Sequence, residues 1–398
     1  MTIRMCLFAL GLTLIICGPL QATGQRTDLF QDFHPGVNIY RYNWDLEPCV
    51  LYVAEMDRNY QDLHFETSIG GDQILGKEAV RSMAHRRSLS GDGQVLVAIN
   101  GGFGVLGDIR GYGGVLENLH IQDGELMTQP IHGEACFGVT NKGDFLVGAV
   151  QMKAKVTIAE HVIPLHCLNQ RREGKDGCQS ILYTPRMGHS THTSHRGYEV
   201  VLVGLQLPVT AKYETEFVID QFGTDGNNLI PRDGGVLSFR SRINKAFAAQ
   251  VSKGGRGKIE ISLHPPIWNN AVQAIGGRLR LVKNGKVNEA LEQMHLAEKR
   301  HTPGRRLPWL ALSHEPRTAL GYNDQKLILI VADGRQPGYS TGVSLYELAS
   351  LLIELGMTEA INLDGGSSST FVVDGKVVNR PSGQRERDVL NAVFITSR

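Results

Sequence analysis

Apolar positions along this chain fall mostly in short runs broken by Gly, Asp and Asn, the rhythm of strands and tight turns rather than of long helices. "HIQDGEL", "VTNKGDFLVG", "LVKNGKV" and "FVVDGKVV" each read as two strands joined at a glycine turn, which gives Asp123, Asn284 and Asp374 a turn role and no other. Two stretches carry helical spacing instead. In "GKEAVRSMAHRRSL" it falls on Ala79, Val80, Met83 and Ala84. In "TGVSLYELASLLIELGM", Ser344 and Glu347 form a capping box. Leu345, Leu348, Leu352 and Leu355 then line one face, and Gly356 suits the stop.

The second helix has strands on both sides. "KLILIVADG" precedes it, an unbroken apolar run of the kind covered on both faces, and "EAINLDGG" follows. Strand, helix and strand at this length predict a crossover joining parallel strands. The expected fold class is therefore α/β (mixed α+β): a mixed β-sheet with a βαβ crossover near the C-terminus and several β-hairpins. Parallel strands end at one edge, so Asp333 and Asp364 should share a rim, where ligands of such sheets bind. A third run, "QVLVAINGGFG", ends in Asn100, Gly101 and Gly102 and could meet them there. After Asp374-Gly375 a strand follows at once. After Asp364-Gly365 come Gly366 and three serines, and after Asp333-Gly334 come Arg335, Gln336 and Pro337. Those continuations suit ligand-facing loops better than hairpins.

A length of 398 residues allows one large or two ordinary domains. The reading is a signal peptide over 1–24, a loose polar leader over 25–35 and a single domain over 36–398. Arg4, the apolar run "MCLFALGLTLIIC", the Gly18-Pro19 break and small Ala22-Thr23-Gly24 have the layout of a secretory signal. A lipoprotein reading through Cys17 fits less well beside bulky Ile16. No other apolar stretch reaches membrane-spanning length, so the expected location is periplasmic or extracellular. A net charge of +1 supplies no field pointing to nucleic acid as partner. Four cysteines remain beyond the signal, Cys49, Cys136, Cys167 and Cys178. Cys167 with Cys178 is the preferred pair, against four reduced buried thiols.

From "EPRTALGY" through "LILIVADGRQ", "AINLDGGSSST" and "RERDVLNAV", the chain resembles the phosphodiester glycosidase family. Fainter echoes run earlier, in "HPGVNIY", "VAINGGF", "GYGGVLENLHIQDGEL", "ILYTPRMGHSTHT", "IPRDGGVLS" and "QAIGGRLRLVKNGKV", and extend the likeness from about Phe33 to Arg398. The resemblance implies hydrolysis of a glycosidic bond between a sugar anomeric carbon and a phosphodiester. It carries site roles onto Asn100, Gly101 and Gly102, onto Arg317 and Thr318, and onto Asp333 and Gly334. It also carries them onto Asn362, Asp364, Gly365, Gly366 and Ser368, and onto Arg387. Gly104, Ser367 and "GGRLRL" depart from the family pattern, and these departures bear on the pocket, and so the sugar, more than on the chemistry.

The residue types suit that chemistry. Glycosidases commonly use two carboxylates, here Asp333 and Asp364, and close packing would split their pKa values as the two roles require. A phosphate leaving group needs little acid help, so one carboxylate could suffice if Arg317 or Arg387 forked the phosphate. The amides of Gly365 to Ser369 could add an anion nest. For Arg317 the alternative is an ion pair with Glu315. "GHSTHTSH" spaces His189, His192 and His195 three apart. That pattern suits a polar loop lining the cleft, with His192 against sugar, better than structural zinc. The metal stays open: Ca or Mg at Asp333 and Asp364 would suit hard oxygens. A glycan-binding or assembly protein on the same fold, or an exopolysaccharide-modifying lyase, are the other classes. No P-loop occurs.

Overall fold

The structure is a computed structural model describing residues 24–398, apart from 45–47, 91–92, 106, 108–110, 173–177, 241–248 and 300–308. Of the signal segment expected over 1–24, residues 1–23 lie outside the described residues. The strands that bear on the site are, in chain order, β1 (Val37–Trp44), β2 (Cys49–Asp57), β3 (Gln94–Asn100) and β4 (Ala271–Gly276). After them come β5 (Arg317–Tyr322), β6 (Lys326–Ala332), β7 (Glu359–Asn362), β8 (Phe371–Val373) and β9 (Asn391–Ser397). Helices among the described residues include α1 (Val80–Leu89), α2 (Glu289–Lys299) and α3 (Leu345–Glu354), besides a single turn at Trp309–Leu312.

The α/β expectation is corrected. The described chain is mostly β, in two eight-stranded and two five-stranded sheets. The first eight-stranded sheet is not mixed. Its order is Gly24–Asp28, β1, β2, β6, β5, β7, Arg280–Lys283, Lys286–Val287, and every neighbouring pair is antiparallel. The reason lies in "RTALGY", which pairs with β6 as a hairpin and takes the position beside it. The chain leaving β6 through α3 must therefore pass over β5 and add β7 to its far edge. β6 and β7 still run the same way, so their carboxyl ends share a rim with the start of β5 between them. At the usual strand spacing, roughly 10 Å separates the two backbones.

Burial on both faces explains the unbroken apolar run of β6. One face of this sheet packs under α3, where Leu345, Leu348, Leu351 and Leu352 meet Leu51, Val53, Ile328 and Ile330. The other face packs on β3, β8 and β9 through Leu329, Val331, Val97, Ile99, Phe371 and Val393. α3 starts at the expected capping box: Ser344 Oγ accepts from the Glu347 amide at 3.2 Å, and Glu347 Oε2 accepts from the Ser344 amide at 2.8 Å.

All four glycine turns join antiparallel strands, with positive φ at both residues of Asp123-Gly124, Asn284-Gly285 and Asp374-Gly375. The leader is not wholly loose, because Gly24–Asp28 pairs as an edge strand with β1. Its polar sequence suits a strand with one free edge. Cys167 and Cys178 form a disulfide, while Cys49 and Cys136 are buried thiols. No helix among the described residues is long and apolar enough to cross a membrane.

Candidate active site

The rim at the ends of β6 and β7 is built on Asn100. This side chain, at the last position of β3, is fully buried and faces the loop that leaves β7. Its Nδ2 donates to the Asp364 carbonyl at 2.6 Å. Its Oδ1 accepts from Thr318 Oγ1 at 2.8 Å and from the Thr370 amide at 3.2 Å. The Asp364 amide donates to the Gly101 carbonyl, and the Leu363 amide to the Thr318 carbonyl. One amide side chain thus ties the end of β3 and the start of β5 to the two ends of the Asp364–Thr370 loop. Gly101 and Gly102 serve close approach: a Cβ on Gly102 would lie 2.3 Å from the Gly276 carbonyl oxygen at the end of β4.

Asp364 is half-buried on this loop. The Gly365 amide donates to its Oδ1 at 3.0 Å. Burial raises its pKa, opposed by hydrogen bonds from Ser368 and Gly365 and by the charges of Arg387 and Arg278. Arg387 donates to Ser367 Oγ at 2.9 Å. Arg278 pairs with Glu117 at 2.7 Å and stands over the Phe103 ring, whose residue follows the Asn-Gly-Gly turn. The amides do not form the expected nest. Those of Gly365, Gly366, Ser368 and Ser369 donate to Asp364 Oδ1 and to the carbonyls of Pro316, Gly365 and Gly366.

Asp333 reaches the same loop indirectly. Its carboxyl is 1% exposed: Oδ1 accepts from Asn379 Nδ2 at 2.8 Å, and Oδ2 accepts from Tyr339 Oη at 3.0 Å and the Arg380 amide at 2.9 Å. Burial outweighs these bonds and pushes its pKa up to about 6. Asn379 Nδ2 also donates to the Ser369 carbonyl at 3.2 Å, so the link runs from Asp333 through Asn379 to the loop. The two carboxylates share a rim without being a matched pair: one is half-buried, the other sealed with both oxygens occupied by protein donors. A divalent cation at Asp333 would have to displace those donors. Among the described residues, no group of three or more His, Cys, Asp or Glu is placed to hold a metal.

Arg317 is buried, with Nε donating to the Val343 carbonyl and Nη2 to the Ser313 carbonyl. Burial lowers its pKa to about 10. Glu315, its expected alternative partner, pairs instead with Arg335 at 2.5 Å. Gly334 is a contact point: a Cβ there would lie 2.7 Å from the Pro316 nitrogen. Asn362 supports the sheet, its Oδ1 accepting from the Leu279 amide at 2.6 Å. His192 is exposed on a loop of the second large sheet, next to Gly111 and Tyr112. Its neighbours Thr191 and Thr193 are pinned by buried Glu199. On sequence alone Asn379 and Arg278 have no site role, and Arg335 is placed only as part of the loop after Asp333-Gly334. Only Arg335 had a local signal, because it directly follows Asp333-Gly334.

A profile of the phosphodiester glycosidase family matches residues 209–396. The matched span is somewhat under half of the chain. Both aspartates, Arg317, Thr318 and the signature loop fall inside the matched span, whereas Asn100 lies outside it. The human N-acetylglucosamine-1-phosphodiester alpha-N-acetylglucosaminidase is 32% identical over 115 residues, covering 29% of this chain and 22% of that protein. The Bacillus subtilis prophage-derived protein YomE is 39% identical over 82 residues, 20% of this chain and 13% of YomE. The chain therefore aligns with about a fifth, or less, of the length of these relatives. Among solved structures, a hypothetical protein from Synechocystis superposes with a TM-score of 0.72 at 17% identity, over 94% of this chain and 64% of that one. A protein of Burkholderia pseudomallei K96243 superposes at 0.65 with 19% identity, over 87% and 74%. These two likenesses show a shared fold over most of this chain.

Proposed function

We propose that this chain is an exported glycoside hydrolase that cleaves the bond between a sugar anomeric carbon and a phosphodiester, or a related glycan linkage, at the rim carrying Asp364. The observation that carries the reading is the state of Asp364. A half-buried carboxyl with a raised pKa sits on a loop braced by Asn100, with Arg387 and Arg278 close enough for their charges to act on it. A raised pKa moves a carboxyl toward the range where it can exchange a proton with substrate or water near neutrality. A phosphate monoester leaves with little acid assistance, so a single carboxylate can attack or activate water while arginines hold the leaving group. Asp333 then acts as a positioning residue through Asn379, and Arg317 as an internal brace. Gly101, Gly102, Gly365 and Gly366 keep the backbone close around the site.

The family match supports the reaction class, and the signal-like N-terminus supports export to the periplasm or the outside. The test is turnover of the purified protein on sugar-1-phosphodiesters, read as release of reducing sugar. Asp364→Asn should keep the melting temperature and lose at least about a hundredfold in kcat. Near-normal rates in that variant would remove Asp364 from the reaction.

A further inference from the structure

We propose that Arg335 is the residue of this site that reads the phosphate of the substrate, a role that rests on the glycosidase reading above. Three other arginines near the loop use a terminal nitrogen for a bond within the protein, and a fourth, Arg380, lies over the Tyr339 ring. Arg317 donates from Nη2 to a carbonyl inside the protein, Arg387 from Nη1 to Ser367, and Arg278 from Nη2 to Glu117. Arg335 differs. Its Nε is fixed by Glu315, whose side chain is 12% exposed, while its own side chain remains 50% exposed. That pairing occupies the side edge of the guanidinium and leaves the two terminal nitrogens as a fork directed at the signature loop. A Cβ on Gly366 would lie 3.3 Å from one of them and 3.5 Å from the other. Two parallel N–H groups on a rigid plane match two oxygens of a phosphate, which a lysine cannot reproduce.

The backbone sends the side chain there at a cost. Arg335 has φ 61°, a left-handed conformation that a residue with a Cβ adopts at roughly 1–2 kcal/mol. The turn holds it: the Arg335 amide donates to the Thr341 carbonyl, and Gln336 exchanges main-chain bonds with Ser340. Gly366 completes the opening, because its φ of 64° and missing side chain leave the space in front of the fork clear. Arg335 and Arg317 are also close enough for their charges to repel, and the single carboxylate of Glu315 acts on both. The corner therefore carries an excess of positive charge, which favours an anion.

The experiment compares wild type, Arg335→Gln and Arg335→Lys in two measurements. The first is the ratio of kcat/KM on a methyl phosphodiester of a hexosamine 1-phosphate to that on the uncharged 4-nitrophenyl glycoside of the same sugar. The second is titration with inorganic phosphate. Arg335→Gln should lower the ratio and weaken phosphate binding by about tenfold or more, and Arg335→Lys should fall between it and wild type. An unchanged ratio overturns the proposal, as does a lysine variant no better than glutamine. If the wild type turns over neither substrate, the glycosidase reading fails and the phosphate titration alone judges Arg335. Loss of phosphate binding in Arg335→Gln then supports the assignment. Wild-type binding in that variant, or no binding by the wild type itself, overturns it.

Discussion

Replacing Asn100 with alanine should cost more stability than its place at the end of a strand suggests. The side chain is fully buried and serves three groups: the Asp364 carbonyl, the Thr318 hydroxyl and the Thr370 amide. Thr318 keeps a second partner in Ser369 Oγ at 3.2 Å, so its loss is cushioned. The two main-chain groups have no such cushion. A buried group left without its partner costs about 1–3 kcal/mol, so two of them bring the expected loss to about 4 kcal/mol with the small cavity included. Urea unfolding followed by tryptophan fluorescence measures it. Turnover should fall further than stability predicts, because the Asp364 carbonyl is freed and an offset of about 1 Å in a reacting group can cost about a hundredfold. A loss below about 1 kcal/mol with wild-type turnover would show that the loop is held by something else, and the account of the rim built on Asn100 would be wrong.

Two further outcomes follow from the fold. Asp333 has its folded pKa raised to about 6 from an ordinary 3.8, so the folded chain holds this proton more tightly than the unfolded chain does. Its contribution is complete below about pH 4 and is lost as pH rises through about 6, by about 3 kcal/mol at most. Unfolding free energies across that window should fall with rising pH in wild type and flatten in Asp333→Asn; an equal slope in both would refute the assignment. Cys178→Ser opens a loop whose ends are 11 positions apart, worth about 3 kcal/mol by the chain-entropy relation, and thermal melting should show the loss.

Much of the local structure was legible because it is decided by neighbours in the chain. The turn at Asp374-Gly375, the capping box at Ser344 and the apolar run of β6 each follow from short-range sterics, hydrogen bonding or burial. The fold class was misread for a reason of the opposite kind. Nothing local in "RTALGY" says that it lies between β6 and β7, because strand order depends on pairing with residues distant in the chain. The shared rim survived that error, since inserting one antiparallel strand leaves the two flanking strands running the same way.

By itself, then, the sequence determined the elements, their turns, the family motifs and the edge on which Asp333 and Asp364 emerge. Only the tertiary structure decided which of those side chains face solvent and which face the protein. Asp333 and Arg317 carry the charges expected of a site, yet Asn379, Tyr339 and two main-chain carbonyls claim them. Asp364 is left half-buried and Arg335 half-exposed. The physical reason is that a charged side chain is committed by the donors and acceptors packed around it, and those arrive from segments tens to hundreds of residues away.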